Sequence, residues 1–196
     1  MATKQHCAYC FSVLLAQLQH TTFDVAPTFD TSTEYPLFVT WNKQGSDGQE
    51  QLRGCIGNFS PMNLATGLRE YAITSAFHDT RFSPIRAREV PQLSCSVSLL
   101  TDFEDANGYL DWKVGTHGVW IEFRLRGRRT TATFLPEIAE EQGWSKKETI
   151  DHLLRKGGFE LPITDDVRSS IKLTRYQSKK QHLSYAEYVE MTSAKQ

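Results

Sequence analysis

The chain has 196 residues, of which 39% are hydrophobic and 11% aromatic, so it can bury the core of one domain, with room for two lobes. Its formal net charge of -1 argues against an overall electrostatic attraction to nucleic acid or to an anionic membrane. No apolar run approaches the roughly 20 residues of a spanning helix, and the first residues lack the apolar core of a signal peptide. We therefore expect an intracellular protein, cytoplasmic or nuclear, with no membrane association.

The chain contains four cysteines, and a chain of this size in a reducing compartment needs no disulfides. Cys7 and Cys10 form a Cys-x-x-Cys pair after His6, on a helix predicted over about residues 5–19 from apolar residues at helical spacing. A zinc site would need two further ligands, and a thioredoxin-like site would need a preceding strand. We predict four free thiols, core packing for this pair, and neither a metal nor a cofactor.

Two adjacent strands are predicted before residue 60. Residues 37–41 alternate with apolar side chains on both faces, which is typical of a central strand. The polar stretch 42–51 contains two glycines and turns the chain back into a second strand over 52–59. The two strands are expected to form a hairpin with a long loop.

The second strand carries a cysteine between two glycines, directly after an arginine. Period-two alternation places Arg53, Cys55 and Gly57 on one face and Gly54 on the other. A nearby cation favours the thiolate, and a glycine within a strand often marks close approach by a ligand or by another backbone. The alternative is a buried cysteine in a central strand that its glycines weaken.

Ser60 and Pro61 follow this strand and are typical of a helix start, because serine caps free amides and proline suits the first turn. The N-terminus of that helix would then lie only a few residues beyond Cys55. Its unpaired amides and dipole would favour an anionic ligand or a thiolate there.

The segment from His78 to Pro84 brings a histidine, Asp79, Arg81 and a phenylalanine into one turn. Such a charged and aromatic loop beside the central strand is a candidate binding element. The alternative is an ion pair between Asp79 and Arg81 that only fixes the path of the chain.

Residues 93–99 alternate between apolar residues and serines, which predicts a half-buried strand with Cys95 packed on its apolar face. His117 lies between Gly115 and Gly118, before a predicted strand over 119–125. Histidine moves protons near neutral pH, so His117 would activate Cys55 if the two side chains met. The alternative is a hydrogen-bonded turn residue.

The remaining elements follow from local signals. A turn with three arginines over 126–129 joins the strand over 119–125 to another over 130–135, and a solvated hairpin tip explains these arginines as well as a phosphate contact does. Pro136 opens a short helix, and Ser145 with Glu148 forms a capping box for the next. A last strand is predicted over 171–176, and Ser184 with Glu187 caps a final helix.

Taken together, these residues resemble one family along nearly the whole chain. The sequence is similar to the AMMECR-domain family, named for the chromosomal region of Alport syndrome, midface hypoplasia and elliptocytosis, and most similar to its eukaryotic members. The matching segments are 10–11, 35–41, 52–57, 67–71, 79–82, 95–100, 111–112, 115, 117–118, 133, 135–137, 142–144, 153–158 and 172–176. The segment from Leu52 to Gly57 is the hallmark of the family.

The resemblance implies an α+β fold, a mostly antiparallel sheet flanked by helices, in two lobes of unequal size with a cleft between them. We expect one domain of this type over residues 1–196, whose larger lobe contains both termini and whose smaller lobe lies around 61–92. The family implies no established reaction. Some prokaryotic relatives are encoded beside a Memo-like protein and a radical-SAM enzyme, which associates the family with modification chemistry.

The leading functional hypothesis is that a cleft beside the strand from Leu52 to Gly57 binds a small molecule or a modified group and supports a modification reaction. Cys55 and His117 are its candidate catalytic residues. The candidate ligand-binding residues are Arg53, Gly54, Gly57, Asp79 and Arg81. The alternative is a non-catalytic module that holds a partner protein against an apolar patch near this strand. Nucleic-acid binding is the least supported hypothesis, because the overall charge is balanced.

Overall fold

The computed structural model describes residues 1–193. In chain order the elements are α1 (Lys4–Leu18), β1 (Glu34–Gln44), β2 (Glu50–Asn63), α2 (Leu64–Phe77), a 3₁₀ helix (Ala87–Gln92), β3 (Leu93–Asp105), β4 (Gly118–Leu125), β5 (Arg128–Phe134), α3 (Pro136–Glu141), α4 (Lys146–Lys156), α5 (Asp165–Ser169), β6 (Lys172–Ser184) and α6 (Tyr185–Ser193). The paired strands are antiparallel, and helices flank them. The fold is therefore α+β, as predicted.

The chain forms two compact units. The first unit contains residues 1–99 and the segment from Lys179 onward, and the second unit contains residues 100–178. Residues 61–92, where the sequence suggested a smaller lobe, lie within the first unit. Strands β3 and β6 each contribute residues to both units.

In the first unit the strand order is β2-β1-β3-β6, so β2 lies at a sheet edge. The alternation predicted for β1 is confirmed, because Leu37, Val39 and Trp41 are all fully buried. They belong to the hydrophobic core that α1 and α2 help to form, and the indole N–H of Trp41 donates to the carbonyl of Ala72 in α2 at 3.1 Å. One face of this sheet is therefore apolar and covered by helices.

All four cysteines are free thiols, as predicted. Cys7, Cys10 and Cys95 have no exposed area and belong to the core of the first unit. Burial raises the pKa of Cys95 well above its usual range, and the neighbouring thiols Cys10 and Cys7 add to this effect. The Cys-x-x-Cys pair is thus part of the core packing.

The prediction that Ser60 and Pro61 begin a helix is wrong. Strand β2 continues through them to Asn63, because its last residues still pair with β1, where Tyr35 lies opposite Met62. Asn63 caps α2 instead: its side-chain oxygen accepts hydrogen bonds from the second and third amides of the helix. The first residue of α2, Leu64, is therefore nine residues beyond Cys55.

The prediction of a half-buried strand over 93–99 is also wrong. Every residue from Leu93 to Leu100 in β3 is buried, including Ser94, Ser96 and Ser98. The strand is central in its sheet, with β1 and β6 as its neighbours, and alternation with serine did not report that both of its faces are covered.

The second unit has the strand order β3-β6-β4-β5. Val119, Ile121 and Phe123 of β4 belong to its buried core together with Ile150 and Leu153 of α4. The predicted capping boxes are confirmed, at Ser145 with Glu148 in this unit and at Ser184 with Glu187 in the first unit. Helix α5 and the 3₁₀ helix had no clear sequence signal.

Among residues 1–193, none of the helices has both the length and the apolar character that crossing a bilayer requires.

Candidate functional site

Cys55 lies in the edge strand β2, in a row of polar side chains that crosses three strands. Thr40 of β1 is the cross-strand partner of both Cys55 and Ser96 of β3. Directly opposed residues of an antiparallel pair point to the same face, so this row lies on the face opposite to Trp41 and the helices. The Thr40 hydroxyl donates a hydrogen bond to the Cys55 sulfur at 3.1 Å.

The Ser96 hydroxyl at the end of this row has an unusual environment. Ser96 is buried, and its oxygen has no hydrogen-bond partner among the residues that the structure describes. A buried polar atom without a partner is uncommon and costs about 1–3 kcal/mol of stability. The Ser96 oxygen is fully buried, so Thr40 and Cys55, which are half-buried, are the members of the row open to a ligand.

Asp79 and Arg81 bind the backbone groups of Cys55 that face the free edge of β2. The backbone N–H of Cys55 donates to the Asp79 carboxylate at 2.9 Å, and the Arg81 guanidinium donates to the Cys55 carbonyl at 3.1 Å. Arg81 also forms an ion pair with Asp79, with two hydrogen bonds of 2.9 and 2.7 Å. The hydrogen bonds from Arg81 hold the pKa of the buried Asp79 well below its usual range. The ion pair that the sequence offered as an alternative is present, and it also anchors the loop to the strand.

Simple alternation predicts that Arg53 lies on the same face of β2 as the Cys55 thiol, but the strand is irregular at Arg53. Gly54 lies opposite Trp41 and Leu52 lies opposite Asn42, so Arg53 is the extra residue of a β-bulge. Its guanidinium binds the Glu89 carboxylate through two nitrogens, at 3.0 and 3.2 Å.

Two backbone carbonyls take up further donors of the same guanidinium. The carbonyl of Ser83 accepts at 2.7 Å and the carbonyl of Pro84 at 3.3 Å. Only 12% of the Arg53 side chain is exposed. Arg53 is therefore committed to holding the loop after α2 and the 3₁₀ helix against β2.

The electrostatics of the Cys55 thiol follow from its burial. Burial raises the pKa of Cys55, while the hydrogen bond from Thr40 and the positive charges of Arg81 and Lys180 act in the opposite direction without overcoming it. The pKa of Cys55 is therefore raised, which favours the protonated thiol over the thiolate. A protonated thiol can donate or accept a weak hydrogen bond.

The two glycines beside Cys55 accommodate parts of the protein itself. A Cβ atom at Gly54 would lie 2.0 Å from the carbonyl oxygen of Ser75 in α2. A Cβ atom at Gly57 would lie 2.3 Å from the Leu37 carbonyl and 2.3 Å from the Phe38 ring. Both glycines therefore permit close approach, but the approaching groups are the helix and strand that pack against β2.

His117 lies in the second unit, whereas Cys55 lies in the first. The Nδ1 atom of His117 accepts a hydrogen bond from the Lys113 amide at 3.0 Å, and the amide of His117 donates to the Lys113 carbonyl at 2.9 Å. Burial lowers the pKa of His117, and the positive charge of Arg175 lowers it further. These contacts fit a hydrogen-bonded turn residue, and the pairing of His117 with Cys55 stays a prediction.

Three residues around the thiol were not assigned to this site from the sequence, namely Thr40, Ser96 and Lys180. Thr40 and Ser96 have weak local signals, because they alternate with apolar residues like any strand residue on a solvated face. Lys180 lies beyond the predicted end of the last strand, and only the longer β6 brings its charge near Cys55. Within residues 1–193, no group of three or more histidine, cysteine or acidic side chains is arranged to hold a metal ion.

The fold and this site define an α+β protein whose signature strand forms a sheet edge, and the loop carrying Asp79 and Arg81 is hydrogen-bonded to that edge. The AMMECR1 family profile matches residues 7–181. The chain therefore belongs to the AMMECR1 family, as the resemblance of its motifs predicted.

Relatives over nearly the full length carry no functional name. An uncharacterized protein of Arabidopsis thaliana is 45% identical over 195 residues, which is 98% of this chain and 90% of the relative. An uncharacterized protein of Schizosaccharomyces pombe is 40% identical over 191 residues, which is 96% of each chain. The crystal structure of an uncharacterized protein from Pyrococcus horikoshii has the same fold, with a TM-score of 0.71 and 25% identity over 93% of each chain.

Proposed function

We propose that the first unit binds a small molecule or a modified group on the polar face around Cys55. The observation that carries this proposal is the pair of half-buried polar side chains, Cys55 and Thr40, which lie side by side on this face next to the exposed Arg81. A ligand with hydrogen-bonding atoms would pair with the Cys55 thiol and the Thr40 hydroxyl.

The charges around the row favour a ligand that is anionic or rich in acceptor atoms. Arg81 and Lys180 both act on the thiol electrostatically. The Arg81 side chain is 55% exposed, and within residues 1–193 its Nη1 atom makes no hydrogen bond, while Nε and Nη2 bind Asp79. Nη1 is therefore available to an acceptor without loss of the ion pair.

Binding, rather than nucleophilic catalysis, is the role that this geometry supports best for Cys55. A nucleophilic cysteine acts as its thiolate, and the raised pKa of Cys55 opposes ionisation at neutral pH. A supporting role in a modification reaction would place the thiol in contact with the modified group. The reactive atoms would then come from the ligand or from a partner.

Metabolite capture tests the proposal. The purified full chain is dialysed against a metabolite extract, and the small molecules it retains are identified by mass spectrometry. We expect species that the natural chain retains and that both Cys55→Ala and Arg81→Gln lose. Arg88→Gln is the matched control, since it removes the same charge from an exposed arginine of the same unit.

Two results would refute the proposal. The first is that the natural chain retains nothing above a protein-free blank. The second is that Cys55→Ala and Arg81→Gln retain the same species as Arg88→Gln. Circular dichroism of each variant confirms that a loss of binding does not reflect a loss of fold.

A protein-interaction module is less well supported by this surface. That alternative requires an exposed apolar patch near the signature strand. Among the described residues from Leu52 to Gly57, only Leu52 is an exposed large hydrophobic side chain, at 43%. A single exposed leucine is common on ordinary protein surfaces.

We also propose a location in the cytoplasm or the nucleus. The four cysteines are free thiols, three of them closely grouped in one core, and such thiols persist in a reducing compartment.

A further inference from the structure

The second unit contains a pocket that the proposed function does not use. It encloses about 510 Å³, which lies within the range of about 300–1,000 Å³ typical of small-molecule sites. Its apolar lining comes from Phe123, Phe159 and Val167, and its positive charges come from Arg124, Arg129 and Lys172. All of these residues belong to residues 100–178, so the pocket is independent of the Cys55 row.

The aromatic part of the pocket is firmly positioned. Phe123 is 7% exposed and belongs to the core of the unit, and its ring meets the ring of Phe159 edge to face at 6.3 Å between centroids. Gly157 makes room for it, because a Cβ atom there would lie 2.5 Å from the Phe123 ring. The half-buried Phe159 thus presents an aromatic surface whose orientation is set by packing. Such a surface suits a flat apolar group.

Among the described residues, the charged part of the pocket has one cationic side chain without a partner. Arg129 is paired with Glu122, and Lys172 is paired with Asp105 at 3.0 Å. The backbone of Arg124 pairs with Arg129 in the hairpin, but its side chain makes neither a hydrogen bond nor an ion pair within residues 1–193. Three positive charges and one lining carboxylate, Glu122, leave an excess of positive charge around the aromatic surface.

This local charge is not a consequence of the overall composition. The chain carries a formal net charge of -1, yet the hairpin of β4 and β5 that borders the pocket bears four arginines between residues 124 and 129. This stretch contains no acidic residue. A polyanion would be drawn to the whole hairpin. A single anionic group on a ring would use the pocket, where the aromatic surface and the unpaired guanidinium meet.

We propose that this pocket binds a small, flat aromatic molecule that carries an anionic group such as a phosphate monoester. The ring packs against Phe159 and Val167, and the anion accepts hydrogen bonds from Arg124. Guanidinium groups bind phosphate oxygens through two parallel N–H donors, which gives the contact both strength and orientation. Arg129 and Lys172 contribute positive potential from the rim.

Titration of the full chain with 1-naphthyl phosphate tests the proposal by calorimetry or by the fluorescence of the ring. Binding should require both parts of the probe, so 1-naphthol and inorganic phosphate should each bind much more weakly. Arg124→Ala should weaken binding of 1-naphthyl phosphate by about tenfold, since hydrogen bonds to charged groups are among the strong ones. Phe159→Leu should also weaken it, because the aromatic contact is lost.

Arg128→Ala is the matched control. It removes the same charge from the same hairpin, but Arg128 does not line this pocket. Equal weakening by Arg124→Ala and Arg128→Ala would overturn the proposal in favour of diffuse attraction to the hairpin. Equal affinity for inorganic phosphate and for 1-naphthyl phosphate would overturn it as well, as would the absence of saturable binding. Thermal unfolding of each variant verifies that it is folded.

Discussion

The carboxylate of Asp79 accepts a hydrogen bond from the backbone N–H of Cys55 at 2.9 Å, across the free edge of β2. Arg81 completes the arrangement by donating to the carbonyl of the same residue at 3.1 Å. An edge strand exposes unpaired backbone groups that other chains can join. The loop after α2 takes up both groups of Cys55, so the signature strand and this loop form one structural element.

Asp79→Asn should destabilise the protein by about 1–3 kcal/mol, because it weakens a buried charge-assisted hydrogen-bond network. The carboxylate is 4% exposed, while its partner Arg81 is 55% exposed, so the hydrogen bonds contribute more than the ion pair itself. Urea denaturation measures the effect. Asp24→Asn, at an exposed aspartate, is the control, and equal midpoints for the two variants would contradict this role of Asp79.

Because of Glu89, the free energy of unfolding should depend on pH in the acid range. Burial alone would raise its pKa, but hydrogen bonds from Arg53, the Arg86 amide and Lys43 lower the pKa to about 2 from the ordinary 4.5. Because the folded-state pKa lies below the unfolded value, the stabilisation is complete above about pH 4.5 and is lost as the pH falls towards about 2.

The Glu89→Gln variant should therefore lose up to about 3 kcal/mol at neutral pH, at about 1.4 kcal/mol per pKa unit. It should also show a shallower loss of stability between pH 4.5 and 2 than the natural chain. Denaturant midpoints measured across this pH range check both effects. Glu70→Gln, at an exposed helical position, should follow the natural curve, and a Glu89→Gln curve that does so too would refute the assignment.

The parts of the fold that could be predicted are those with local signals. Alternation gave β1 its buried face, and the capping box of Ser145 with Glu148 marked the start of α4. Ser60 and Pro61 carry an equally strong local signal for a helix, and it fails because Met62 pairs with Tyr35 in β1. The boundary between β2 and α2 is set by pairing between strands, which cannot be predicted from a local sequence pattern.

The candidate site was predicted in part, for the same reason. Cys55, Asp79 and Arg81 do come together, and each was recognisable from its residue type and its neighbours. The place of Arg53 was not predictable, because the bulge arises from the register of β2 against β1. The row that ends in Ser96 depends on the order of three strands, which the sequence does not specify.

Gly54→Ala should be strongly destabilising. The new Cβ atom would lie 2.0 Å from the Ser75 carbonyl oxygen, and backbone cannot move aside as a flexible side chain can. Overpacking of this kind typically costs about 1–3 kcal/mol and sometimes more. Gly108→Ala is the control, since its Cβ would meet no atom within 4 Å. Thermal or urea unfolding distinguishes them, and equal stability of the two variants would show that α2 can shift away from β2.

Alkylation by iodoacetamide, followed residue by residue with mass spectrometry, should report the protonation of Cys55. In the folded chain Cys55 should react before Cys7, Cys10 and Cys95, because only Cys55 is partly exposed. The pH midpoint of its reaction should lie above that of an unstructured cysteine peptide, because burial raises the pKa of the thiol. Slow reaction at neutral pH is therefore expected despite the exposure.

The sign of the Arg81 effect provides the sharper test of the site. The positive charge of Arg81 lowers the pKa of Cys55, so Arg81→Gln should move the alkylation midpoint to still higher pH. Arg88→Gln removes an equal charge from an exposed position of the 3₁₀ helix and should leave the midpoint unchanged. A midpoint below that of the reference peptide would instead identify Cys55 as an activated nucleophile. The thiol would then be a catalytic group rather than a binding contact.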